Sequence, residues 1–316
     1  MKINISKYIK DNQIISVVGA TATGKTAFAL DLADIALKSG AYQRIHLLSA
    51  DSRQVYQGLE NLTAADVPAD FAVVCDKKFA VPFFANQNKT IFLHGVSIIQ
   101  PHEEWSVAHF KKLFEKLKKN LGAKELLIVV GGTGFYQQQI VETAESLFVP
   151  RNVQLRQDLE KLSVEELKNR LRILDTSKYQ SLNHSDLNNP RRLVRAIEIA
   201  VFQKQAHSTF IKKTHQQTIP TFYLQIPKAV REQKIKARIE QRFTLAKKEV
   251  EQQLQKHITD QSLAFTSTGF MELKQLIKGE IDQATCLKLW QTAEIQYAKR
   301  QDTWWKKRTG IIKINL

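Results

Sequence analysis

The stretch Ile14-Ile15-Ser16-Val17-Val18-Gly19-Ala20-Thr21-Ala22-Thr23-Gly24-Lys25-Thr26 decides the fold. Residues 14–18 form a short apolar, β-branched run, which reads as a buried strand. Residues 19–26 fit the spacing GxxxxGK[ST]. Residues 27–38 then take helical spacing, with Phe28, Leu32, Ile35 and Ala36 predicted on one face. Strand, glycine-bounded turn and helix is the context this pattern requires. The glycines let the backbone wrap a phosphate chain, so that successive N–H groups point inward. The helix N-terminus adds its positive end. Gly19, Thr21, Ala22, Thr23, Gly24, Lys25 and Thr26 are therefore candidates for holding a diphosphate, with Lys25 supplying a full charge and Thr26 reaching a bound Mg²⁺. The pattern is equally suited to a nucleotide and to another pyrophosphate ester.

Outward from this loop, strand and helix alternate. Residues 45–49 form a second apolar run ending at Asp51, 107–121 an amphipathic helix carrying Phe110, Leu113, Phe114 and Leu117, and 125–130 a buried strand closed by Gly131-Gly132. Residues 57–100 show no regular period. From about residue 140 helices rich in Lys, Arg and Gln take over, a short strand returns at 221–226, and helical patterning runs to the end. The expectation is an α/β fold: a P-loop NTPase-like parallel-sheet core from 1–139 and 219–316, a helical insertion over 140–218, and C-terminal helices packing on the core.

Two further segments belong to the same crevice, because ligands of open α/β sheets sit at the carboxyl ends of the strands. Asp51 opens Asp51-Ser52-Arg53-Gln54-Val55-Tyr56 just after the second strand. Its carboxylate could take a proton from an attacking hydroxyl or amine, orient a metal-bound water, or simply cap a turn. Gly131-Gly132-Thr133-Gly134-Phe135-Tyr136 stands where a P-loop ATPase often places a Mg²⁺-organising Asp. The glycines there imply close approach of a ligand or another segment.

The chain carries 47 Lys+Arg against 31 Asp+Glu, a formal charge of +16 that favours a polyanionic partner. Asn189-Pro190-Arg191-Arg192 reads as a capped helix start, with Arg191 and Arg195 expected on an exposed face. Their position in the first turn opposes the helix dipole and suits an anion, although Glu198 could pair with them. Arg231, Arg238 and Arg242 follow on another helix, where Arg forks could clamp phosphate or meet Glu232 and Glu240. Trp290, Tyr297 and Trp304, seven apart, form a stripe that suits a core more than a stacking platform. Cys75 and Cys286 are far apart, which excludes a disulfide framework and a Cys-based zinc finger and fits a reducing cytoplasm. The start lacks the apolar core of a leader, and no run is long enough to span a membrane, so none is expected. The histidines, His207 and His215 among them, show no ligand spacing.

Taken together, residues 19–26, Asp51-Ser52-Arg53-Gln54-Val55-Tyr56, Gly131-Gly132-Thr133-Gly134-Phe135-Tyr136, Asn189-Pro190-Arg191-Arg192 with Arg195-Ala196-Ile197-Glu198, Arg238-Ile239-Glu240-Gln241-Arg242, and Tyr297-Ala298-Lys299-Arg300-Gln301 with Thr303-Trp304 resemble the bacterial type of the tRNA dimethylallyltransferase family. They come in family order and span most of the chain. The resemblance implies dimethylallyl diphosphate as donor and N6 of the adenosine 3′-adjacent to the anticodon as acceptor. It implies Asp51 and Thr133 as catalytic residues, with Arg238 or Arg242 on the diphosphate beside the loop and Mg²⁺ on Thr26. Asp51, Ser52, Arg53, Gln54, Thr133, Arg156, Arg191, Arg192 and Arg195 are implied as contacts to the tRNA anticodon stem-loop. A cytoplasmic monomer is expected. Two departures stand out: Leu62-Thr63-Ala64-Ala65-Asp66 replaces a GTAKP-like segment, and Arg231 lies one residue out of the family's register. The competing reading is a P-loop small-molecule kinase, ATP-binding, with Asp51 as base.

Overall fold

The computed structural model describes residues 5–76, 79, 81–205, 218–256 and 262–316; His207 and His215 lie outside them. In chain order come α1 (Ile5–Asp11), β1 (Ile14–Gly19), α2 (Lys25–Lys38), β2 (Arg44–Ser49), α3 (Glu60–Thr63), β3 (Phe71–Val74), β4 (Phe83–Asn86), β5 (Ile91–His94), α4 (Val107–Lys119), β6 (Glu125–Gly131) and α5 (Gly134–Val141). The chain continues with α6 (Val153–Leu159), α7 (Val164–Leu174), α8 (Thr176–Ser181), α9 (His184–Leu187) and α10 (Pro190–Gln205). It closes with β7 (Thr221–Gln225), α11 (Lys228–Gln255), α12 (Phe270–Ile277), α13 (Gln283–Lys306) and β8 (Ile312–Asn315). Packing divides the chain into two units, residues 142–215 and the remainder.

The larger unit is built on an eight-stranded sheet of order β3-β4-β5-β2-β6-β1-β7-β8. From β5 to β8 every pairing is parallel, while β4 runs antiparallel to both its neighbours. Both faces are covered, as a parallel sheet demands. The period of two in β6 shows how the sequence does it. Leu127 and Val129 join the core that holds Phe110, Phe114 and Trp290, whereas Leu126 and Ile128 join the one that holds Leu32, Leu47 and Phe222.

The P-loop NTPase-like α/β core expected from the sequence is therefore present, with three local differences. Residues 57–100 hold an antiparallel extension, β3 to β5, whose four-residue strands are too short to show a period. The last residues are not helical: β8 follows Gly310 and adds a parallel edge strand beside β7. On α2 the buried face is Ala29, Leu32, Ala33 and Ala36, and Ile35 is 39% exposed. That face follows the i, i+3, i+4, i+7 spacing, which leaves Ile35 to one side of it.

The smaller unit has its own core, in which Leu159, Leu167, Leu171, Leu193 and Ile197 meet. Asn189 accepts from the Arg192 N–H at 3.3 Å and Pro190 opens α10, as the sequence suggested. Buried Glu198 ties the unit together: it accepts from the Asn152 N–H at 2.7 Å, from Arg156 Nε and Nη2 at 2.9 and 2.7 Å, and from Arg195. Burial pushes the Glu198 carboxyl up, but these donors outweigh it and hold the group below its ordinary range.

One buried pair couples the sheet to pH. His94, fully buried on β5, packs against the rings of Phe79 and Phe83, and its Nε2 lies 3.0 Å from His46 Nδ1 on β2. On its other side His46 Nε2 faces Glu125 at 3.5 Å. Burial, then the nearby His46, pushes His94 well below 6.5. The unfolded chain therefore binds the extra proton first as pH drops. Stability is held above about pH 6.5 and is lost below it, by about 1.4 kcal/mol per pH unit until His94 itself titrates. Urea unfolding from pH 7 to 5 should show His94→Gln with a flatter slope than wild type; parallel slopes would remove His94 as the cause.

Candidate functional site

Strand order dictates where the site lies. β6 sits between β1 and β2, so the loop after β1 and Asp51 after β2 stand one strand apart on either side of it, about 10 Å across the backbone. Their side chains can meet only if the end of β6 leaves the space free. It does: a Cβ on Gly131 would lie 2.4 Å from the Ala50 carbonyl oxygen. One on Gly132 would lie 2.2 Å from Gln301 Nε2, and one on Gly134 2.0 Å from Trp304 Nε1. The close approach inferred for these glycines is thus made by α13 and the end of β2. A cavity of about 350 Å³ opens above the strand ends, lined by Lys25, Thr26, Asp51, Arg53, Arg238 and Tyr297 among others.

The loop has the shape expected of an anion cradle. Ala22 and Gly24 both take left-handed backbone conformations, φ 62° and 85°. For alanine this costs on the order of 1 kcal/mol, and such strain is characteristic of ligand clamps. Thr23 Oγ1 donates to the Ala20 carbonyl at 2.9 Å, and Lys25 Nζ donates to the same oxygen at 2.7 Å, folding back over the loop. Burial pushes the Lys25 ammonium down from 10.5 to about 8 against the pull of Asp51 and Glu294, and Arg238 acts in the same direction as burial. Thr26, beside Lys25, also faces the cavity.

Asp51 caps a turn and still faces the cavity. Its Oδ1 accepts from the Arg53 N–H at 2.8 Å, which fixes the carboxylate. Arg53 Nη1 donates to the Leu263 carbonyl at 2.9 Å. Gln54 bridges, accepting from Ser49 Oγ at 2.9 Å and donating to the Ala64 carbonyl at 2.9 Å. Ser52 does not line the cavity, nor does Thr133. The Thr133 hydroxyl is nevertheless buried with no hydrogen bond of normal geometry, next to Tyr297. Burial pushes the Tyr297 phenol up, Asp51 adds to this, and Thr133 acts in the opposite sense.

The three arginines of α11 go to different places. Arg238 lines the cavity and binds Asp66 and the Ala64 carbonyl, the latter at 3.2 Å. One turn on, Arg242 lies under the wall instead, its guanidinium 5.3 Å from the Trp290 ring centre and its Nε and Nη1 without partners. Burial pushes it down to about 10. Arg231 is buried against Asp302, which also accepts from the Tyr223 hydroxyl at 3.0 Å.

In the smaller unit the basic residues divide similarly. Arg191 and Arg192 are exposed, Arg192 bound to Asp186. Arg195 does not share that exposed face: besides Glu198 it donates to the Ser146 and Val149 carbonyls at 2.9 and 3.0 Å, and Arg156 forks onto Glu198.

Sequence reasoning missed the contribution of α13. Gln301 Oε1 accepts from the Thr21 N–H at 2.8 Å, and buried Glu294 accepts from Thr21 Oγ1 at 3.2 Å and from Thr268. Glu294, Tyr297 and Gln301 sit at i, i+3 and i+7 of one helix face, and that polar stripe was the available signal. The aromatic stripe divides: Trp290 is core, Trp304 packs on Gly134, and Tyr297 opens on the cavity.

The chain is similar to known proteins. Residues 83–308 match the family model described as IPP transferase. A tRNA dimethylallyltransferase 2 of Shewanella sediminis (strain HAW-EB3) is 30% identical over 95% of this chain and 90% of its own. A tRNA dimethylallyltransferase of Treponema pallidum (strain Nichols) is 32% identical over 93% and 88%. Two solved structures share the fold. A eukaryotic dimethylallyltransferase acting on tRNA has a TM-score of 0.69 at 18% identity, covering 96% of this chain and 74% of that one. A tRNA delta(2)-isopentenylpyrophosphate transferase of Staphylococcus epidermidis has 0.60 at 23%, covering 96% and 92%. With its family model matched over most of its length and its relatives aligned nearly end to end, this chain belongs to the IPP transferase family.

Proposed function

We propose that this protein transfers a dimethylallyl group from dimethylallyl diphosphate to N6 of the adenosine 3′-adjacent to the anticodon of tRNA, releasing pyrophosphate. The observation that carries this reading is one cavity lined together by the phosphate loop, Lys25, Arg238 and Asp51. The diphosphate takes the loop N–H groups, Lys25 and Arg238. Arg242, turned into the wall, supports that wall. The acceptor amine attacks the allylic carbon, the carbon–oxygen bond breaks, and its electron pair leaves with pyrophosphate. Asp51 accepts the amine's proton or hydrogen-bonds it, and Tyr297 faces the acceptor side with the buried Thr133 hydroxyl beside it. A target base must leave its stack to reach such a site.

The donor set fits Mg²⁺. The Thr26 hydroxyl is a hard oxygen ligand, and the Asp51 carboxylate on the same cavity could accept from a metal-bound water. Bound there, Mg²⁺ would neutralise charge on the leaving pyrophosphate. The basic insertion, taken as residues 140–218, grips the anticodon stem-loop through phosphates, with Arg191 and Arg192 exposed for it. Arg156 and Arg195 shape that surface from behind through Glu198, and Ser52, Arg53 and Gln54 border the acceptor nucleotide. No helix among the described residues is long and apolar enough to cross a membrane; we place the enzyme in the cytoplasm as a monomer.

The kinase reading requires ATP consumption. Incubation with Mg²⁺, dimethylallyl diphosphate and unmodified tRNA should instead give dimethylallyl-adenosine on nucleoside mass spectrometry. Absence of that product, with ATP-dependent phosphorylation of a small molecule, would reverse the assignment. Asp51→Ala should keep tRNA affinity and lose about 10²- to 10⁴-fold in turnover; wild-type turnover in that variant removes Asp51 from the chemistry.

The Lys25 position gives a second test. Diphosphate favours the charged ammonium, so binding should be flat below about pH 8 and weaken by about tenfold per unit above it, with proton uptake. Lys25→Met should bind about 10- to 100-fold more weakly and lose this component. Calorimetry in buffers of different ionisation enthalpy reads both; equal proton uptake by the variant counts against Lys25.

A further inference from the structure

One cation of the cavity already has an anion. Arg238 Nη2 donates to Asp66 Oδ2, and both residues line the cavity. The Asp66 side chain is 63% exposed and that of Arg238 31%, so the carboxylate sits on the open side with most of its hydration intact.

The fold builds this placement from several directions. About three turns further along α11, Glu249 accepts from the N–H groups of Asn61 and Leu62 at 2.8 and 2.9 Å, and from Asn61 Nδ2 at 2.6 Å. That clamps α3 onto α11. The chain then turns through Ala64, whose φ of 54° is left-handed. The Ala64 carbonyl accepts from Gln54 and from Arg238 itself at 2.9 and 3.2 Å. A segment held this way delivers Asp66 onto Arg238.

Arg238 shares the cavity with Lys25 and disfavours its ammonium charge, which a partner anion on Arg238 offsets. A diphosphate cannot use Arg238 fully while Asp66 holds it, because the carboxylate repels the incoming anion and occupies its donors. An exposed pair of this kind is weak and breaks easily, whereas a diphosphate also gains Lys25 and the loop. We propose that Asp66 is a displaceable counter-anion: it occupies Arg238 while no diphosphate is bound, gives way to the diphosphate, and returns as pyrophosphate leaves. Asp66 thereby lowers affinity for the donor and speeds release of the product. This rests on the reading that Arg238 binds the diphosphate.

The test uses inorganic pyrophosphate as the probe, titrated calorimetrically into the full chain, the variants Asp66→Asn and Arg238→Ala, and the double variant. Asp66→Asn should bind about two- to fivefold tighter than wild type, a gain that loss of a purely structural contact would not produce. Arg238→Ala should bind about 10- to 100-fold more weakly, and the double variant should match it. In turnover, Asp66→Asn should lower KM for dimethylallyl diphosphate without raising kcat. If Arg238→Ala is weakened while Asp66→Asn is no tighter than wild type, the counter-anion role is overturned. A gain that persists undiminished in the double variant also overturns it, since the repulsion would then be general. Wild-type binding by Arg238→Ala would sink the Arg238 assignment itself, and the inference with it.

Discussion

From the end of β6 to the start of α5 the backbone comes so close to Ala50 and to α13 that Gly131, Gly132 and Gly134 have no room for a Cβ. That steric limit governs more than the strand. It lets α13 lie against the strand end, where Gln301 reaches the Thr21 N–H and Trp305 Nε1 points at the Gly132 carbonyl at 3.4 Å. It also leaves the space between the phosphate loop and Asp51 empty of protein. A carboxylate at the end of β6, as in an ATPase, would compete with α13 for that space. The cavity, the grip of α13 on the loop and the placing of Lys25 and Asp51 on one cavity all follow from it.

The cations of the site have protein partners. Lys25 folds onto the Ala20 carbonyl, Arg53 onto the Leu263 carbonyl, and Arg238 onto Asp66 and Ala64. None of these partners is a buried carboxylate in tight fork geometry. The contrast is with Arg156 and Arg231, which meet Glu198 and Asp302 away from solvent. Breaking the first kind of contact costs little and breaking the second leaves an uncompensated buried charge. Basic residues near an anion site therefore separate into those that can change partners and those that hold the structure.

Much of this was legible in the sequence where local signals carry it. β-Branched runs ended by glycine gave β1 and β6 and the strand ends at which Lys25 and Asp51 stand. The antiparallel β3 to β5 and the edge strand β8 were not legible, because strands of four residues have no measurable period and are held by their neighbours. The contributions of Glu294 and Gln301 were hidden for a related reason. Their partner, Thr21, is more than 270 residues away in sequence. The signal that remained was a polar stripe beside the aromatic one, and the aromatic one was the more conspicuous.

The arginines of α11 show why a basic helix cannot be read as a single surface. Arg231, Arg238 and Arg242 recur at intervals of seven and four, which puts them on one broad face. That face crosses three environments as the helix passes Asp302, the open cavity and the packed Trp290. The same guanidinium is an ion-pair partner in the first, a ligand group in the second and a flat ring-stacking surface in the third. Periodicity identifies the face that points inward. Only the tertiary path of the helix decides which of its charges meets open space, and here that charge is Arg238.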